Sequence, residues 1–66
     1  MTEQIATEQI TVERRQEVFR TLVALQDSGS SPDQSRIVVA AQFSIAVPDV
    51  RAIEREGISH HWPPLS

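Results

Sequence analysis

All six basic residues of this 66-residue chain are arginines: Arg14, Arg15, Arg20, Arg36, Arg51 and Arg55. A guanidinium is planar, permanently charged and forked, which suits it to phosphate oxygens and to the guanine edge exposed in the major groove of a duplex. Arg36, Arg51 and Arg55 are the candidates for such contacts. They fall within residues 36–55, where three arginines stand against Asp49 and Glu54, a local balance of +1, while the whole chain is at -3. A field of that overall sign repels phosphate backbones, so any contact with nucleic acid must be local. Specific operators engage ~6 to 10 phosphates, so one copy of this chain would bind weakly and two copies, or a larger complex, would bind better. The ordinary alternative for Arg51 and Arg55 is a solvated helical face, paired with nearby acids.

Other chemistry is poorly served. His60 and His61 are adjacent, with no cysteine anywhere and no fixed carboxylate close by, whereas structural zinc takes four convergent ligands. Glu13 and Glu17 share a helical face four residues apart, the usual pattern of a solvated surface. The serines belong to turns and caps, and no histidine and acid are placed to activate one. These patterns point away from an enzyme and away from any cofactor or metal. Without cysteine the chain has neither disulfides nor thiolate ligands. No apolar run approaches the ~18 residues that would span a bilayer, and residues 1–10 lack the basic start and apolar stretch of a secretory signal. A soluble, cytoplasmic protein with no membrane contact is expected.

The length allows one small domain, which must place those arginines. From Thr11 onward Val12, Val18, Phe19, Leu22, Val23 and Leu25 recur at helical spacing, opposite Glu13, Arg14, Glu17 and Arg20. Thr11 is the expected N-cap, and Asp27-Ser28-Gly29-Ser30 ends a helix over about 11–27. Ser31-Pro32-Asp33-Gln34 sets a capping serine before a proline, an acid and a glutamine, a strong start signal for a second helix. That helix carries Ile37, Val38, Ala40, Ala41 and Phe43 and should stop where Ser44 interrupts. Pro48-Asp49 opens a third, which turns Val50, Ile53 and Ile58 towards the core and reaches Gly57 as its stop.

The flanks read differently. Residues 1–10 hold a doublet, Thr2-Glu3-Gln4-Ile5 and Thr7-Glu8-Gln9-Ile10, whose isoleucines would lie about 140° apart on a helix and so form no common face. A flexible N-terminal arm is expected there, either loose or ordering on a partner. Residues 59–66 form a Trp/Pro tail. Trp62 either folds back over the helices or, with Pro63, Pro64 and Leu65, forms a short motif for a partner.

A helix-turn-helix needs a small residue where its two helices cross and apolar residues at set offsets around the corner. With Ala40 as the small residue, Val39 and Phe43 fall on the inner face of the first helix, Ile45 plugs the turn, and Val50 and Ile53 line the second. Ser44 occupies the turn position that often holds glycine. The segment Val50-Arg51-Ala52-Ile53-Glu54-Arg55-Glu56, extended back through Ile45, Phe43 and Ala40, resembles region four of bacterial RNA polymerase sigma factors over about a third of the chain. The resemblance implies a recognition helix in the major groove of a promoter element, with Arg51 and Arg55 as the matching DNA contacts.

The expected protein is therefore all-α: a small three-helix domain over residues 11–58 containing a helix-turn-helix. It would bind duplex DNA through helix three with Arg36, Arg51 and Arg55, as a homodimer or within a larger nucleoprotein or RNA polymerase complex. The second expectation is an interaction adaptor, docking through its acidic faces and through Trp62 and Leu65.

Overall fold

The computed structural model describes residues 10–65, and the arm expected over residues 1–10 lies outside them except for Ile10. Three helices follow one another: α1 (Val12–Asp27), α2 (Pro32–Phe43) and α3 (Val47–His60), with no strand among the described residues. The fold is all-α. The Thr11 side chain caps α1 by accepting from the Arg14 N–H at 3.1 Å, and Ser31 caps α2 by accepting from the Gln34 N–H at 3.1 Å. Each side-chain oxygen satisfies one of the amides that the first turn of a helix leaves without a partner.

All three helices end by one device, in which the amide five residues on reaches back to the first carbonyl while the amide before it bonds the second. In α1 these bonds are Ser30 N–H to Leu25 C=O and Gly29 N–H to Gln26 C=O, both 3.1 Å. In α2, Ile45 bonds Ala40 at 3.0 Å and Ser44 bonds Ala41 at 3.4 Å; in α3, Trp62 bonds Gly57 at 3.0 Å and His61 bonds Ile58 at 3.3 Å. The device needs a left-handed residue, supplied by Gly29, Ser44 and His61 at φ 110°, 57° and 53°. It also reverses the chain, so the next residue turns back onto the helix. At the second and third ends that residue is apolar: Ile45 packs against the core and Trp62 enters it.

The core is built from Val18, Phe19 and Leu22 of α1, Val39 and Ala40 of α2, Val50 and Ile53 of α3, and Trp62. The Trp62 ring meets Phe19 edge-on, with centroids 6.1 Å apart and planes at 78°, an arrangement that suits aromatic quadrupoles. Polar ties cross the helix pairs. Gln26 Nε2 donates to the buried Ser35 Oγ at 3.1 Å, joining α1 to α2, and Arg15 joins α1 to α3 through Glu56 at 2.9 Å.

Three local expectations are corrected. The third helix does not stop at Gly57 but runs to His60, because Gly57 serves packing instead: a Cβ there would lie 2.4 Å from Phe19 Cδ1. Ile58 is exposed rather than turned to the core, since it lies about 100° around the helix from Gly57, away from the Val50, Ile53 and Gly57 stripe. Val12 is also exposed, at the first position of α1 and upstream of Val18, where the buried part of that helix begins.

Candidate nucleic-acid interface

Three residues, 44–46, separate α2 from α3. Ser44 takes the left-handed conformation at φ 57°, ψ 44°, and Ala46 is extended at φ -81°, ψ 152°. The chain therefore turns sharply with Ile45 directed at the core. Val39, Ala40, Val50 and Ile53 are buried around this corner, and Phe43 and Ile45 are partly buried against them. Ala46 has no side-chain acceptor with which to cap α3. Asp49 makes the return half of a capping box, its carboxylate accepting from the Ala46 N–H at 3.4 Å.

With Val50, Ile53 and Gly57 turned inward, Arg51 and Arg55 stand exposed, one helical turn apart on the outer side of α3. Neither has an ion-pair partner among the described residues. Arg51 lines an open groove of about 310 Å³ with Asp33, Arg36, Ile37 and Val47. Ile37 is 54% exposed, so the α2 wall of this groove is apolar as well as charged.

Arg36 lies in the same groove but is engaged. Its Nε donates to Glu54 Oε1 at 2.9 Å and its Nη1 to Asp33 Oδ1 at 3.1 Å, tying α2 to α3. The hydrogen bond to Glu54, opposed by burial and supplemented by the charges of Glu54 and Asp33, holds the guanidinium above its ordinary pKa. The structure thus brings Arg36 and Arg51 to one groove and sets Arg55 one turn along, and of these three Arg51 and Arg55 have no ion-pair partner among the described residues.

Trp62 is 8% exposed and its ring is held between Phe19 and His60, stacked on the latter with centroids 6.1 Å apart, whereas Leu65 is 48% exposed. The tail therefore contributes its tryptophan to the core and leaves Leu65 to solvent. Sequence reasoning missed the two carboxylates that hold Arg36. Asp33 was recoverable from its spacing of three residues on the same helix; Glu54 was not, because only the packing of α2 on α3 brings it near. Compared with protein-family models, curated proteins and solved structures, the chain has no match in any of the three.

Proposed function

We propose that this chain is a small helix-turn-helix protein that binds duplex DNA through α3 in transcription, acting as a dimer or within a larger nucleoprotein complex. The observation that carries the reading is the pair Arg51 and Arg55, exposed a turn apart on the outer side of the helix that follows a three-residue corner. The resemblance of residues 50–56 to a sigma-factor recognition helix supports the same reading. Arg51 and Arg55 supply the DNA contacts, and guanine edges and phosphates are their natural partners. With two phosphates engaged per copy, the affinity of one copy for a duplex should fall ~10-fold between about 50 and 200 mM salt. A fluorescence titration with wild type and the Arg51→Ala/Arg55→Ala double variant tests it; undiminished affinity in the double variant would remove the assigned role.

A second reading, an interaction subunit docking on a larger basic assembly, draws on the formal charge of -3 and on the exposed Ile37, Val38 and Leu65. Pull-down with and without nuclease separates the two, since partners held through nucleic acid are lost on digestion and directly bound partners persist.

A further inference from the structure

Arg36 is the arginine of the proposed DNA face that is already occupied, and its two partners both bear on Arg51. Asp33 lines the same groove as Arg51. Glu54 follows Arg51 by three residues on α3, a spacing at which side chains on a helix surface meet. The Arg36–Glu54 bond is the sheltered one: these side chains are 22% and 18% exposed, against 94% for Asp33. Shelter reduces screening by salt, so this bond persists where an exposed pair fades. Asp33, Arg36, Arg51, Glu54 and Arg55 together carry three positive and two negative charges, +1; without Arg36 the same set sums to zero.

We propose that Arg36 is a positioning residue rather than a DNA contact, an inference that rests on the DNA reading of α3: it clamps Glu54 and Asp33 and thereby leaves Arg51 free for phosphate. Without the clamp, Glu54 turns to Arg51 along the helix, and two carboxylates stand uncompensated beside the docking face. Both effects lower affinity although no contact with DNA has been deleted. A direct phosphate contact by Arg36 would behave differently, because removing Glu54 as well could not replace it.

The experiment compares wild type, Arg36→Met, Glu54→Gln and Arg36→Met/Glu54→Gln in fluorescence anisotropy with a labelled duplex of about 20 base pairs at about 50 mM salt. Arg36→Met should weaken binding ~5- to 10-fold, the size expected for an added like charge several ångströms from phosphate in a high-dielectric setting. The double variant should return to within ~2-fold of wild type, in keeping with two residues that act as one unit. A double variant as weak as Arg36→Met, or Arg36→Met as tight as wild type, overturns the clamp. The Arg51 Nε–H resonance gives a readout that needs no DNA: it should shift in Arg36→Met and return in the double variant. If wild type binds no duplex, the DNA reading falls while this resonance still judges the clamp, and an unmoved signal in folded Arg36→Met refutes it. Should Arg36→Met lose its helical circular dichroism, Glu54→Gln decides: equal or tighter DNA binding supports the clamp, and weaker binding by the folded variant overturns it.

Discussion

Replacing Gly57 with alanine sets helix propensity against packing, and the geometry decides the sign. Gly57 lies inside α3, where alanine is intrinsically favoured by ~1 kcal/mol. The added Cβ would meet Phe19 at 2.4 Å from Cδ1, 2.6 Å from Cε1 and 2.7 Å from Cγ. Carbon atoms rest at about 3.5–4.0 Å, so the ring must retreat by ~1 Å. It has little room, being buried and braced by the edge-on Trp62 ring. Overpacking of this kind costs ~1–3 kcal/mol, and contact with three ring atoms puts it in the upper part of that range. The net effect should be a destabilisation of ~1–2 kcal/mol, a large share of the ~3–5 kcal/mol expected for so small a domain. In thermal melts followed by circular dichroism this corresponds to a fall in Tm of ~5–15 °C. A Gly57→Ala variant as stable as wild type, or more so, would refute the reasoning. Phe19→Leu on that background supplies the internal control: the two changes should couple by at least ~0.5 kcal/mol, and simple additivity would show that the Gly57–Phe19 contact is not the cause.

Trp62→Ala should remove ~3–5 kcal/mol of packing, enough to leave the domain largely unfolded, and a retained cooperative melt near the wild-type Tm would show that Trp62 is dispensable to the core. Ala46→Ser should stabilise the fold by ~1 kcal/mol, because it supplies the missing cap acceptor opposite Asp49; urea denaturation would check this, and an unchanged or lower midpoint would count against it.

Much of the helical framework was legible in local chemistry. Thr11, Ser31-Pro32 and Ser44 mark helix ends by bonds within a few residues, so their consequences do not depend on how the helices pack. The offsets of Val39, Ala40, Val50 and Ile53 likewise announce which faces are buried, because helical periodicity turns spacing into direction. Gly57 shows where local reasoning stops: as a residue type it signals an ending, yet contact with Phe19, far away in sequence, explains why a glycine sits there, and the left-handed turn falls at His61.

The candidate site divides along the same line. That Arg51 and Arg55 share a helical face follows from their separation of four residues, since a helix brings such residues nearly into register. That Arg36 is held by Glu54 as well as by its i−3 neighbour Asp33 follows from no local pattern, because Glu54 lies eighteen residues away and reaches it only once α2 and α3 have docked. Trp62 was open between core and motif until the chain reversal at His61 turned it inward. Sequence alone determined the helices and their apolar stripes, through hydrogen bonds and periodicity that act over a turn or two. Tertiary packing decided that Arg36 is tied to Glu54 and Arg15 to Glu56, because an ion pair between two helices depends on distances that no local spacing encodes.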